Sequence, residues 1–213
     1  MNSSPNLRQQ AKAHTRVALK KSALRLYSQQ GASGVSMNKV AKGAGIAQPS
    51  FYNHFSNLDE LLEELRSELT ERYMGPLRLA VVDMLSKVDQ LSDQQFKHLN
   101  RQFLRLIFDA AFQNITLFQR LIEDRPRFAA KNAGLAGMLL QVQDEWAQAF
   151  NQGLKLSGRC VRASTLHLFL DSVSAQVHEL ILGCHGERYS QEEAIETLSS
   201  NIGKMFDELL SKK

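Results

Sequence analysis

Apolar residues along this chain recur at the spacing of helices, not strands, almost from end to end. In residues 8–30, Leu19, Ala23, Leu26 and Tyr27 fall at i, i+4, i+7 and i+8, one face of an α-helix, and Gly31 ends the run. Ser36 stands as N-cap to a short second helix whose Met37, Val40, Ala41 and Ala44 fall at i, i+3, i+4 and i+7. Gly43, Ala44 and Gly45 keep the following turn small; Gly45 suits a left-handed helix end, and Ile46 plugs the angle between two helices. A third helix starts near Gln48, where Pro49 is tolerated because the first helical turn has no use for its N–H. Projected at about 100° per residue, Phe51 and Phe55 share one side. Pro49, Ser50, Tyr52 and Asn53 lie opposite, with Gln48 and His54 on the flanks.

Asn57 caps a fourth helix along Leu58, Leu61, Leu62, Leu65 and Leu69, predicted to run to Gly75-Pro76. Further helices are predicted over 76–88, 93–113 after Ser92, 115–124 after Asn114, 128–156, 161–184 and 191–211, the last opened by a capping box of Ser190 and Glu193. The expected fold class is therefore all-α, with a head at 1–56 and a helical body at 57–213. Near the C-terminus Leu166, Leu170, Val173, Val177, Leu180 and Cys184 step by four and three, as do Leu198, Ile202, Met205 and Leu209. Such seams serve nearly parallel or antiparallel helix packing, either in the chain's own core or against a partner.

Charge changes this picture more than composition does. Of 26 basic and 22 acidic residues, eight basic and no acidic ones fall in the first 58 positions, leaving 18 basic against 22 acidic for the rest, so the net +4 hides a cationic head on an anionic body. Within the head, Arg8, Lys12, Arg16 and Lys20 recur every four residues along the first helix. Like charges at that spacing repel by a few tenths of a kcal/mol per pair in an isolated helix. A phosphate backbone turns the arrangement into attraction, although a solvated basic face would carry the same stripe.

The third helix offers the more specific chemistry. Its aromatic side anchors while Gln48, Ser50, Tyr52, Asn53 and His54 face outward, a set of donors and acceptors suited to a major groove. The amides of Gln48 and Asn53 can pair with adenine; Ser50, Tyr52 and His54 suit phosphate oxygens. Catalysis finds no support: there is no glycine-rich phosphate loop, no Gly-x-Ser-x-Gly elbow and no His-Glu-x-x-His pair. No cofactor and no metal are expected either. His178, Cys184 and His185 lie near one another after Cys160 and His167, yet adjacent residues on a helix point about 100° apart, so a buried thiol and surface imidazoles are the better account. The apolar stretch 166–182 is interrupted by Asp171, His178 and Glu179, too short for a membrane span, and the two cysteines with no leader lead us to expect a cytoplasmic protein.

Thr15 to Tyr27, Gly31, Ser36-Met37-Asn38-Lys39-Val40-Ala41, Ala44-Gly45-Ile46-Ala47, Ser50-Phe51-Tyr52-Asn53-His54-Phe55 and Asp59-Glu60-Leu61 together resemble, in order and spacing, the TetR family of bacterial transcriptional regulators. The resemblance implies a helix-turn-helix DNA-binding head of three helices and a C-terminal helical domain that binds a small ligand and dimerises. By that likeness Ser36 caps the second helix and touches a phosphate, Gln48, Pro49, Ser50 and Asn53 lie nearest the bases, and Tyr52 and His54 grip the backbone. Arg16 and Lys39 complete the expected DNA contacts. Two positions depart from the family: Leu58 stands where a phosphate-holding Lys is common, and Ala47 where Ser or Thr usually caps the third helix. An apolar residue at the Leu58 position, together with the run from Pro49 to Phe55, is similar to the subgroup that represses unsaturated fatty-acid synthesis.

The resemblance also gives the body its expected roles. An aromatic and Met-rich middle, Phe103, Ile107, Phe112, Phe118, Met138, Trp146 and Phe169 with Gln143 and Gln176 as polar groups, would line an apolar effector site, or else is a packed core. Leu170, Val173, Val177, Leu180, Leu198, Ile202, Met205 and Leu209 are the expected dimer seam. The sequence Glu123-Asp124-Arg125-Pro126-Arg127 reads as a solvated turn in preference to a pocket rim. The expectation is a homodimeric repressor on an inverted-repeat operator in double-stranded DNA, released when a hydrophobic small molecule such as a fatty acyl compound re-tilts the helix from Leu58 to Met74. The alternatives are a regulator of drug efflux and, more remotely, a metal-sensing or adaptor protein.

Overall fold

The computed structural model describes residues 7–125 and 134–211, and among these there are helices and turns but no strand. The helices are α1 (Leu7–Gln30), α2 (Met37–Gly43), α3 (Gln48–Phe51), α4 (Leu58–Ser86), α5 (Asp93–Gln113), α6 (Ile115–Glu123), α7 (Met138–Leu156), α8 (Ala163–His185) and α9 (Gln191–Ser211). No helix among the described residues is long and apolar enough to cross a membrane. They fall into two compact units, one of residues up to Leu69 with Thr116–Met138, the other of Thr70–Ile115 with Leu139 onward. The head anticipated at 1–56 thus lies wholly in the first unit, which also takes in the start of α4 and all but one residue of α6.

The first unit buries the face that periodicity marks on α1, Leu19, Ala23, Leu26 and Tyr27, with Val40 and Ala41 of α2, Phe51, Phe55, Leu61 and Leu65, and with Leu117 and Leu121 of α6. Caps act where local chemistry calls for them. Ser36 Oγ accepts the Lys39 N–H at 3.4 Å. Asn57 Oδ1 accepts the Glu60 N–H at 2.8 Å, and the Glu60 carboxylate takes the Ser56 N–H in return, which lowers its pKa. Gly45, at φ 75°, supplies the left-handed residue between α2 and α3 that a side chain would strain.

The second unit packs α5, α7, α8, α9 and the rest of α4. Ser190 and Glu193 form the expected box, the Glu193 carboxylate accepting the Ser190 N–H at 2.8 Å and Ser190 Oγ the Glu193 N–H at 3.3 Å. Buried Asn100 of α5 donates to the carbonyl and hydroxyl oxygens of Ser199 on α9, both at 3.4 Å.

Three expected boundaries differ. Helix α4 does not stop at Gly75-Pro76 but continues to Ser86 with Pro76 inside it. An interior proline costs about 3 kcal/mol, but Pro76 is exposed and Leu77, Val81 and Leu85 beyond it are all buried. Several buried side chains at about 1.5–3 kcal/mol each outweigh one lost hydrogen bond. The helix expected from 128 begins at Met138, preceded by a 3₁₀ turn at Gly134–Gly137; Phe128 itself lies outside the described residues. The third helix is a single turn, ending at Phe51, after which turns carry the chain to Phe55.

Candidate nucleic-acid interface

Within the first unit, Phe51 and Phe55 are buried with ring centroids 5.8 Å apart, and this pair holds the one-turn α3 beside α2. A helix of four residues cannot persist on its own hydrogen bonds. Its outward residues therefore owe their positions to the two rings. Gln48, Pro49, Tyr52 and Asn53 are exposed, while Ser50 and His54 are half-buried. Ala47 is the N-cap and makes no side-chain hydrogen bond; Pro49 has no N–H, and the Ser50 N–H goes to the Ala47 carbonyl at 2.9 Å.

The basic stripe is not uniformly available. Arg16 lies 3.9 Å above the Phe55 ring, donates to the His54 carbonyl oxygen and pairs with Glu64 on α4. Lys20, the next of the stripe, pairs with Glu64 at 3.0 Å and with Glu68. Arg16, expected on the DNA face, is thus bound inside the head, where it ties α1 to the end of α3 and to α4. The reason is register: two cations four apart on α1 meet two acids four apart on α4. Lys39, also expected to contact DNA, turns back and donates to Gln30 Oε1 at 3.1 Å and to the Gly34 carbonyl at 3.2 Å. Leu58, half-buried at the start of α4, carries no donor.

His54 is held below the ordinary imidazole value by burial and then by the charges of Lys12 and Arg16, and its Nδ1 is buried without a partner among the described residues. At neutral pH it is therefore an uncharged group. Burial pushes the Glu64 carboxyl up, but hydrogen bonds and charge from Lys20 and Arg16 outweigh that and hold it below the usual carboxylate range. Lys20 is raised in turn: burial opposes the charge, and Glu68 and Glu64 more than compensate. A carboxylate whose folded pKa is depressed stabilises the fold above its unfolded pKa and loses that contribution as pH falls through the folded value. Acid titration of the full chain should therefore loosen the head below about pH 4.3, and Glu64→Gln should flatten that part of the melting-temperature profile. An unchanged profile would show that the cluster contributes nothing.

The geometry comprises a polar one-turn helix pinned by two aromatic rings, preceded by a capped short helix and a glycine turn. Residues 20–65 match the model of bacterial regulatory proteins of the tetR family. This N-terminal domain belongs to the tetR family. A curated relative, the HTH-type transcriptional regulator AcrR of Shigella flexneri, is 44% identical over 57 residues, a stretch that covers 27% of this chain and about a quarter, 26%, of that protein. Over the whole chain the likeness is one of fold. A tetR-family transcriptional regulator from Streptomyces coelicolor is 18% identical with a TM-score of 0.63, covering 94% of this chain and 84% of that one. A TetR-family repressor of Thermus thermophilus, FadR, solved in complex with lauroyl-CoA, is 16% identical with a TM-score of 0.56, covering 93% and 96%.

The tetR-family head is followed by a body whose expected residues divide differently. Phe118 and Met138 belong to the first unit; Phe103, Ile107, Phe112, Gln143, Trp146, Phe169 and Gln176 to the second. Phe103 meets Trp146 edge to face at 5.3 Å, and both are half-buried, as are Ile107 and Phe112. Phe169 is core: its ring lies 5.8 Å from Phe150 and 6.0 Å from Phe206. Gln143 donates to Asp171, and Gln176 is engaged between α8 and α9, accepting from Asn201 at 3.0 Å and donating to the Ser172 carbonyl at 3.3 Å. Of the expected dimer seam, Leu170, Val177, Leu198, Ile202 and Leu209 are buried within this chain, and Val173, Leu180 and Met205 are half-buried. These rows seal α8 and α9 in the chain's own core; the exposed side of α8 carries Leu168, Ser172 and Ala175. Cys184, expected buried, is only partly so, and Cys160 is exposed.

Sequence reading missed Glu64 and Glu68 as partners of the basic stripe, although their spacing of four mirrors that of Arg16 and Lys20. It also placed Asp124 in a solvated turn. Its carboxylate instead accepts the Ala32 N–H at 2.9 Å, and no local pattern could have announced a partner 92 residues away.

Proposed function

We propose that this chain is a DNA-binding transcriptional regulator of the TetR type, acting as a homodimeric repressor on an inverted repeat and responding to an apolar small molecule. The observation that carries this reading is the outward face of α3 and the turn after it, Gln48, Pro49, Tyr52 and Asn53, held by the Phe51 and Phe55 rings in a segment without a single acid. The neutral His54 and exposed Tyr52 suit phosphate oxygens, and Asn53 and Gln48 suit base edges. Binding by such a head owes much of its strength to counterion release, so it falls steeply with salt. A catalytic role has no constellation behind it in the sequence.

Two copies follow from the need to read two half-sites about one helical turn apart. The outer side of α8, with Leu168 exposed to 69% beside Ser172 and Ala175, is the surface we assign to the second copy. For the effector, the half-buried Phe103, Ile107, Phe112 and Trp146 favour an apolar molecule. An acyl-CoA is the first to try, because a protein of similar fold was solved with lauroyl-CoA.

Anisotropy titrations against duplexes enriched from a random library test the reading. Tyr52→Ala should weaken enriched and unrelated DNA alike, whereas Asn53→Ala should relax discrimination at one base pair by about 1–3 kcal/mol. Equal losses on every sequence for both variants would refute the division of labour, and no enrichment by the wild type would refute DNA binding itself.

A further inference from the structure

The turn between α1 and α2 leads into the two helices that follow, and its first N–H, that of Ala32, has no side-chain cap within the turn. Gly31 takes φ 70° and ψ −171°; its carbonyl accepts the Gly34 N–H at 3.1 Å, but it has no side chain with which to cap the Ala32 N–H of the 3₁₀ turn Ala32–Gly34 that it opens. The far end of the turn is held locally: Lys39 reaches back to the Gly34 carbonyl, and Ser36 caps α2. The near end is held from elsewhere, by Asp124, which follows α6 and takes the Ala32 N–H at 2.9 Å.

The fit around that carboxylate is close. A Cβ at Gly31 would lie 3.1 Å from Asp124 Oδ2, so a side chain there would be strained by the backbone conformation and would press on the oxygen that faces it. Tyr27, 2% exposed in the last turns of α1, has its hydroxyl buried with no partner in hydrogen-bonding geometry among the described residues. Burial, and then the nearby Asp124 charge, push that phenol well above its ordinary value. The carboxylate therefore sits at a junction of a positive-φ glycine, the Ala32 amide it caps and a buried phenol. A surface aspartate in a solvated turn would meet none of these.

We infer that Asp124 is a positioning residue for DNA reading: by completing the α1–α2 turn from the end of α6, it sets the orientation of α2 and α3. The inference rests on the proposed DNA-binding role and deepens it. It makes the reading head a composite, finished only when residues 116–124 are in place, and it gives α6, which joins α5 through Asn114 alone, a direct hold on the recognition region. A charge-assisted N–H···O bond is the strongest local tie this turn has.

The test uses the full chain in two arms. Amide hydrogen exchange without DNA compares the segment 31–36 in the wild type, Asp124→Ala and Asp124→Asn. Anisotropy compares the same proteins on a duplex enriched by the wild type from a random library and on a scrambled duplex. We expect Asp124→Ala to raise exchange in 31–36, leaving α8 and α9 unchanged, and to reduce the preference for the enriched duplex about tenfold, the factor lost with one hydrogen bond to a charged group. Asp124→Asn, which keeps an acceptor oxygen, should stay nearer the wild type in both arms. Raised exchange with unchanged preference would make the contact purely structural and overturn the inference, as would exchange that does not respond. Failure of the wild type to enrich any duplex would sink the DNA-binding reading and the positioning role with it, whereas enrichment with an unaffected Ala variant would sink the positioning role alone.

Discussion

Phe51→Ala should cost the head about 3–5 kcal/mol, the range for removing a large aromatic from a packed core. The Phe51 ring is 0% exposed, lies 5.8 Å from Phe55 and meets Tyr52 edge to face at 6.1 Å. Because α3 is one turn long, its polar face has no support once the ring is gone, so sequence discrimination should fall with stability. Tyr52→Ala is the built-in comparison: Tyr52 is 57% exposed, and a substitution there should change stability by no more than about 0.5 kcal/mol while still weakening DNA binding. Urea unfolding followed by hydrogen exchange in α1 to α3 separates the two. The chain's single tryptophan, Trp146, lies outside the head and should keep its native emission in Phe51→Ala at concentrations where the head has opened. If the two variants unfold together with the wild type, Phe51 is not the anchor.

The second large effect lies in the body. Phe206 of α9 is 3% exposed, stacks on Phe96 of α5 at 4.9 Å with planes 13° apart, and touches Phe169 of α8 at 6.0 Å. Phe206→Ala should therefore lower stability by about 3–5 kcal/mol, with the ring pairings contributing about 0.5–1.5 kcal/mol apiece within that loss. Trp146 fluorescence against urea should show a lower midpoint with the slope preserved. The result also bears on Phe169. If this aromatic row is core, Phe169→Ala destabilises similarly without altering an effector response, and a variant as stable as the wild type would return the row to the role of a pocket wall.

Phe206 escaped the reading of the sequence although Phe169 did not, and the contrast is instructive. Phe169 lies in an aromatic-rich stretch that invites a ligand; Phe206 sits among the acids of α9. Whether either ring meets a ligand or another ring depends on which helix packs opposite, and that information is held about 37 and 110 residues away, at Phe169 and Phe96. The seams show the same limit. Leu198 and Ile202 recur at helical spacing because the face is buried, but the spacing is identical whether burial is by α8 of this chain or by another copy.

What residues determine within one or two helical turns was legible. The period of Leu19, Ala23, Leu26 and Tyr27, the caps at Ser36, Asn57 and Ser190, the left-handed Gly45 and the opposition of Phe51 and Phe55 to Tyr52 and Asn53 all follow from backbone geometry and side-chain chemistry at i, i+3 and i+4. Those terms are set before the chain folds back on itself, so the all-helical class and the exposed polar face proposed to read DNA could be drawn from the sequence alone. Tertiary structure decided the rest: that Glu64 and Glu68 claim Arg16 and Lys20, that α4 runs through Pro76, that the α8 and α9 rows close on each other, and that Asp124 completes a turn in the head. Each of these weighs a local preference, for solvent or for a helix break, against burial or an ion pair offered by a distant segment. The balance exists only once packing has brought the two together.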